Sequence, residues 1–332
     1  MRVFFFIFLM AISIQSFAQN DPIFRSKNNK SYWQNKKPYQ GYWQQDVAYK
    51  INANINERTR IIDATQELTY WNNSPDTLKF VYFHLYQNAF TKGSYLEELH
   101  KVNHKTIKKY GKYQEQGLGT IVQNLKVNGQ TAKIQIDNTL MRVDLPYPLA
   151  PNDSIVFDMN FKTFFDYGQF RRRMAVYDSY GFPHFNGVHW YPRISVYDIK
   201  KGWDTDQHLN KELYGDYGVF DVKLTFASNY IVEATGALQN ENEVLPSELR
   251  EKLDVKNFAK KPWNEKPSII IPYDSNQQKT WHYIANNVHD FAFTADPSYR
   301  IGETIWNGVK CIALVTEPHA SKWQTASDYV AK

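Results

Sequence analysis

From Val47 onward the chain alternates apolar and polar residues with a period of two. Val47, Tyr49, Ile51, Ala53 and Ile55 share one face, and after a polar turn at 56–60 the set Ile62, Ala64, Leu68 and Tyr70 continues it. Successive side chains of an extended chain point to opposite faces, so the pattern predicts two half-buried strands joined as a hairpin. Asn72-Asn73-Ser74-Pro75-Asp76 is a turn cluster. Residues 78–85 are apolar on both faces, which predicts a strand covered on both sides. Over 91–117 the alternation is lost, and an insertion is expected there, helical around 95–100. It resumes at 121–127. Asn128-Gly129 then supplies two residues that tolerate positive φ, as a two-residue hairpin turn demands. Alternating runs at 134–136, 141–145, 155–161 and 220–226 follow at the short spacing of an all-β sandwich.

Three later stretches break this rhythm. Residues 181–206 crowd aromatics, Pro, Gly, two His and one Arg together, and read as a long polar-aromatic loop. Such a loop is either well-packed Ω-like structure or the rim of a ligand cleft. Residues 241–266 are charged, with one or two helical turns expected over 247–253. After Trp281 the sandwich pattern ends. Trp323, Ala326 and Val330 then fall at helical spacing, which predicts a helix over 321–332. The sequence therefore reads as mainly β, with a mixed segment at its end.

The first residues have the form of a secretory signal. Arg2 is a short positive region, 3–14 is mostly apolar, and Ser16 and Ala18 place small residues at a cleavage site. The apolar run is short for a membrane span, which takes about 20 residues. The expected mature chain begins at Gln19, is exported to the periplasm or beyond, and keeps no stable span. Residues 19–45 are polar and irregular. Cys311 is the only cysteine, so no internal disulfide can form. Stability must come from burial, for which about 310 mature residues suffice. Aromatics at 16% suit pleated, half-buried surfaces. A net charge of +5 is mild for this length, and the lysines at 101–112 read as a solvated face and not as a nucleic-acid patch.

The sequence holds few signs of chemistry. Its nine histidines include no H-E-x-x-H, the spacing that puts two imidazoles on one helical face with a general base between them. No nucleophile elbow, phosphate loop or dinucleotide fingerprint occurs. His84 alternates with Phe80 and Tyr82 on what reads as the core face, and is expected to be a buried, hydrogen-bonded histidine. Asp178, Asp198, Asp204, Asp206 and Asp216 lack calcium-loop spacing and read as surface carboxylates.

Six segments, in order, resemble the aminopeptidase N family of zinc metallopeptidases, in particular its exported bacteroidete-like branch. They are Val47-Ala-Tyr49-Lys-Ile51, Glu67-Leu-Thr-Tyr70-Trp-Asn72-Asn73-Ser74, Phe83-His84-Leu85-Tyr86-Gln-Asn88-Ala-Phe90, Met141-Arg-Val-Asp144-Leu-Pro146, His189-Trp190-Tyr191-Pro192-Arg193 and Asn287-Val288-His289-Asp290-Phe291-Ala292. The resemblance covers roughly 46–332. It implies a saddle-like β-sandwich domain over 46–280, then the first, incomplete α/β part of a thermolysin-like catalytic domain over 281–332. It further implies that Asn186, His189, Trp190, Tyr191 and Arg193 belong to the rim of a peptide-substrate cleft. In the family, zinc is held by H-E-x-x-H and a distal Glu, and a Gly-Met-Glu motif anchors the substrate amine. None of these is in this sequence. The expectation is an inactive N-terminal portion of an exported aminopeptidase that binds no zinc by itself. The rival reading is a non-catalytic peptide- or glycan-binding module, which exposed Trp190, Tyr191 and Trp203 would favour and burial of all three would count against. A structural envelope protein without a ligand site is a third.

Overall fold

A computed structural model describes residues 23–332 except 37, 107–108, 172 and 210–212. The signal peptide expected over 1–18 lies outside the described residues. The two alternating runs form β1 (Asp46–Asn56) and β2 (Ile61–Trp71), antiparallel from Asp46↔Trp71 to Asn56↔Ile61. Asn72 organises the turn cluster after them, donating its side-chain amide to the carbonyls of Asp76, Leu149 and Ala150. β3 (Leu78–His84) follows. The insertion holds α1 (Tyr95–Val102), whose cap Ser94 accepts from the Glu97 N–H, and the short α2 (Lys112–Glu115).

Next come β4 (Thr120–Val127), β5 (Gln130–Thr131), β6 (Lys133–Asp137), β7 (Leu140–Leu149) and β8 (Ser154–Phe164). Between β4 and β5, Asn128 and Gly129 adopt φ of 45° and 80°, as expected of that turn. β9 (Ala175–Ser179), β10 (Phe182–Gly187), β11 (Arg193–Ile194), β12 (Tyr197–Asp198) and β13 (Gly202–Trp203) lead to β14 (Gly218–Ala227). β15 (Ile231–Ala234), β16 (Ala237–Leu238), α3 (Glu241–Val244) and α4 (Ser247–Leu253) precede β17 (Gln278–Val288) and β18 (Phe293–Asp296). A hairpin of β19 (Tyr299–Trp306) and β20 (Val309–Thr316) and a last helix α5 (Ala326–Ala331) end the described chain.

The fold is mainly β and layered. Eight strands, in the order β16-β17-β14-β1-β2-β8-β4-β5, make the large sheet, in which β1 and β14 run parallel. Two four-stranded sheets, β15-β18-β10-β9 and β11-β3-β7-β6, share one core with it. The inner faces meet through rings: Phe83 and Phe157 at 5.3 Å, Phe165 and Phe185 at 4.9 Å, Phe226 and Phe293 at 5.8 Å.

Four readings of the sequence need correction. Residues 181–206 are not one loop, because β10 pairs with β18 and β9 inside a sheet and three two-residue strands follow. The boundary drawn at 280/281 falls within β17, which pairs with β14 from Gly218↔Val288 to Ala227↔Gln278, so the body continues beyond it. The terminal helix is shorter than expected, since Glu317–Lys322 is a 3-10 turn before α5. On β3 the core-facing residues are Val81 and Phe83, while Phe80 and Tyr82 lie half-buried on the other face.

Candidate functional site

Sequence segments far apart converge around residues 188–194. β11 is two residues long, yet its register, Arg193↔His84 and Ile194↔Phe83, fixes the segment beside β3. The backbone before and after it is satisfied by buried side chains, as backbone polar groups removed from water require. Ile194 N–H donates to Tyr49 Oη at 3.0 Å, Gln66 Nε2 donates to the Pro192 carbonyl at 2.9 Å, and Gln87 Nε2 donates to the carbonyls of Val188 and His189 at 3.2 and 3.1 Å.

The five residues expected at a cleft rim divide three ways. Trp190 and Tyr191 are 0% and 1% exposed and belong to the core. Trp190 Nε1–H donates to the Phe291 carbonyl at 3.0 Å, and its ring packs on Phe161 and Phe293. No aromatic face of either is offered to a ligand. Asn186 sits on β10 in another cluster, where its Oδ1 accepts from Thr294 Oγ1 at 2.9 Å and lies 3.2 Å from His184 Nε2. His184 Nδ1 is in turn 2.9 Å from buried Asp296. Only His189 and Arg193, both buried, come together.

They meet at Asp290. Its Oδ1 accepts from the Tyr191 hydroxyl at 2.9 Å and from the Phe291 N–H at 2.8 Å. Its Oδ2 lies 3.4 Å from His189 Nε2 and 3.9 Å from Arg193 Nη1, and the side chain is 20% exposed. A carboxylate is thus presented at the surface and held from beneath by a phenol, an imidazole and a guanidinium. His289 is half-buried beside it, its ring 5.3 Å from that of exposed Tyr217. Deeper in, the Tyr86 ring stacks on His84 at 5.0 Å and contacts His189 at 4.6 Å and His208 at 4.8 Å.

Burial sets the charges here. It pushes the Tyr191 phenol well above its ordinary value, with Asp290 adding to the effect, so this group stays a proton donor. Burial opposes the Arg193 charge, but Tyr86, Tyr191, Asp290 and Tyr49 outweigh it and hold the guanidinium protonated. Among the described residues neither Arg193 Nη1 nor Nη2 has a hydrogen-bond partner. Asp216 is buried, its Oδ2 without a partner among the described residues, and burial first, then Asp46, pushes its carboxyl well up; it is not the surface carboxylate the sequence suggested. Burial, then Arg193 and His208, lowers His84 to about 3, so it is neutral; it is buried and hydrogen-bonded to the Asp204 backbone, as expected, while its Nδ1 has no hydrogen-bond partner among the described residues. Sequence reasoning gave no separate role to Asp290 or Tyr86. Asp290 and Tyr86 stood inside resembling segments, but no local spacing marked either.

Gly215 makes this packing possible. A Cβ there would come within 1.3 Å of Arg193 Nη2. Gly215→Ala is therefore expected to destabilise the chain by about 1–3 kcal/mol, as overpacking does. Urea unfolding midpoints measure it.

Chemically, the site can accept a hydrogen bond or a cation at Asp290. Among the described residues no group of three or more His, Cys, Asp or Glu could hold a metal ion.

No protein-family model and no curated protein matches the chain. Among solved structures it is similar to an M1 zinc metallopeptidase mutant from Deinococcus radiodurans bound to a Tyr-Ser-Ala substrate. The identity is 12% and the TM-score 0.45, over 82% of this chain and 47% of that one. Another structure of an M1 zinc metallopeptidase mutant from Deinococcus radiodurans is similar at 12% identity and TM-score 0.44, over 88% of this chain and 54% of that one. This chain thus spans about half the length of those chains.

Proposed function

We propose that this chain is the β-scaffold and one wall of the peptide cleft of an exported zinc aminopeptidase, whose metal-bearing part is supplied by polypeptide outside these 332 residues. One observation carries the reading: segments that resemble the family in sequence are also packed against one another. Tyr49 receives Ile194, Gln87 holds Val188 and His189, β7 pairs with β3 at Met141↔Phe83, and Trp190 and Tyr191 reach Phe291 and Asp290. In this reading Asp290 is the polar group that the wall turns towards a peptide, and Trp190 and Tyr191 carry it from beneath. The expected rim role thus passes from the aromatic residues to Asp290, with His189 and Arg193 behind it.

Zinc in the resembled family takes three protein ligands and keeps one position open for water. The described residues do not bring such a set together, so no zinc step is assigned to this chain. For the peptide- or glycan-binding alternative, Trp190 and Tyr191 are core residues and offer no face, while Trp203 is half-buried beside Tyr82 and Tyr197.

The purified chain is expected to give no turnover of aminoacyl-coumarin substrates with or without added zinc. Chelator-sensitive turnover would refute the division of labour. An open reading frame continuing past codon 332 into Gly-Met-Glu and H-E-x-x-H is the matching genetic result; a stop codon there refutes the parent enzyme. Export predicts a mature N-terminus at Gln19, which sequencing of the secreted protein reads directly.

A further inference from the structure

The connection between α4 and β17 presents an exposed tip on a fixed base. Its residues 261–268 are pinned at both ends by one buried carboxylate. Glu317 Oε1 lies 3.0 Å from Lys261 Nζ and accepts from the Ser268 N–H at 2.8 Å. Arg300 Nη2 donates to the Ser268 carbonyl at 2.9 Å. Between these points Glu265 N–H donates to the Pro262 carbonyl at 3.2 Å, and Pro262 and Pro267 restrict the backbone on either side. The loop is thus closed on itself and held in one shape. Yet Trp263 and Ile269 are 66% and 79% exposed. Between 256 and 266 four lysines stand against one carboxylate, Glu265. Lys256, Lys260 and Lys266 are exposed, and no described residue forms an ion pair with any of them.

Apolar side chains at a tip, flanked by free ammonium groups, select one kind of partner. The cores of protein interfaces are depleted in Lys, and a stable interface buries about 800 Å² on each side, of which two side chains supply little. A lipid surface reverses both preferences. Trp settles at headgroup level, and Lys lays its apolar stem on the membrane while its ammonium reaches phosphate. Three free positive charges complement an anionic leaflet, with about fivefold in affinity for each. We propose that residues 256–269 are a peripheral membrane anchor, with Trp263 and Ile269 entering the headgroup region of an anionic bilayer and Lys256, Lys260 and Lys266 on its phosphates. Neither half suffices alone, because firm attachment takes an apolar and a polybasic signal together. The loop lies on the lipid and does not span it; among the described residues no helix is long and apolar enough to cross a membrane. The inference stands on this loop and holds whether or not the chain belongs to a peptidase.

Co-sedimentation of the mature chain with vesicles tests it, using phosphatidylcholine alone and phosphatidylcholine with about one-third phosphatidylglycerol. Binding to the anionic vesicles should be about tenfold or more tighter, and should fall away at about 1 M salt, where the Debye length is about 3 Å. Trp263→Ala and Ile269→Ser should each weaken it about fivefold or more, the loss of one inserted apolar side chain. Lys260→Gln/Lys266→Gln should remove most of the preference for anionic lipid. Brominated acyl chains should quench the tryptophan fluorescence of the parent chain and not that of Trp263→Ala. All four positions are exposed, so the urea midpoints of the variants should match the parent and separate lost binding from lost folding. No binding to anionic vesicles, equal binding to both lipids, or binding that survives Trp263→Ala unchanged would each overturn the inference. So would self-association that Trp263→Ala abolishes while vesicles stay unbound, which would make the tip a protein contact.

Discussion

Replacing Glu317 by alanine is expected to destabilise the chain by about 3–5 kcal/mol, the usual effect of breaking a buried ion pair from one side. Glu317 and Arg300 are both 0% exposed. Glu317 Oε2 accepts from Arg300 Nε at 2.9 Å and from Nη2. Its Oε1 accepts from the Ser268 N–H at 2.8 Å and the Ser268 hydroxyl at 2.9 Å, and lies 3.0 Å from Lys261 Nζ. One carboxylate therefore ties β19, the turn after β20 and the 261–268 loop together. Alanine would leave the buried Arg300 guanidinium without its carboxylate, and the largely buried Lys261 ammonium with only Glu265, 3.8 Å away. Since a domain's whole stability is about 5–15 kcal/mol, the urea midpoint should fall by a large part of its value. Proteolysis should open the 259–268 loop first, because its anchor is lost. The double variant Arg300→Met/Glu317→Leu should recover much of the stability, since apolar residues of similar size need no partner. If the double variant is as unstable as Glu317→Ala, the destabilisation comes from packing and not from orphaned charge.

The strands were readable because their information is local. β1, β2, β8 and β14 each bury alternate residues against one core, so a period of two was enough to find them. The Asn128-Gly129 turn was readable for the same reason. β10 was not, because Phe-Pro-His-Phe-Asn-Gly carries no clean alternation; it is a strand because β18, more than a hundred residues later, pairs with it. The site divides along the same line. His189 and Arg193 were legible from their crowded segment. Trp190 and Tyr191 were legible as important and misplaced as exposed, because an aromatic residue serves a core and a cleft equally well. Asp290 and Asp216 looked like any other carboxylates: their environment is built by side chains distant in sequence, such as Tyr191 for Asp290 and Asp46 for Asp216. Asp46 shows the same limit. It is a fully buried carboxylate that accepts from Tyr32 Oη at 2.6 Å, Trp33 Nε1 at 2.8 Å and Asn73 Nδ2 at 2.9 Å, which docks the irregular N-terminal stretch onto the sheet.

The stability of this chain should change little between about pH 4.5 and 6.5 through two buried groups that oppose each other, and single substitutions should expose each. His84 has a folded pKa of about 3 against an ordinary value of 6.5. Between those values the unfolded chain binds the extra proton, so stability contributed by neutral His84 is lost as pH falls through this window. Glu233 has a folded pKa of about 7 against 4.5. Here the folded chain binds the proton, so its contribution is complete below 4.5 and is lost as pH rises towards 7. Each group changes stability by about 1.4 kcal/mol per pH unit where it titrates, with opposite sign. Over the shared window the two slopes cancel. His84→Phe keeps a ring to stack on Tyr86 and removes the titration, so stability relative to the parent chain should fall by about 2–3 kcal/mol from pH 4.5 to 6.5. Glu233→Gln should tilt the difference the other way by a similar amount and leave the variant more stable than the parent at pH 8. The double variant should again run parallel to the parent. Urea unfolding at half-unit pH steps measures all four curves. A His84→Phe difference that does not vary with pH would mean that this imidazole titrates normally, and that the 188–193 wall does not seal it from water.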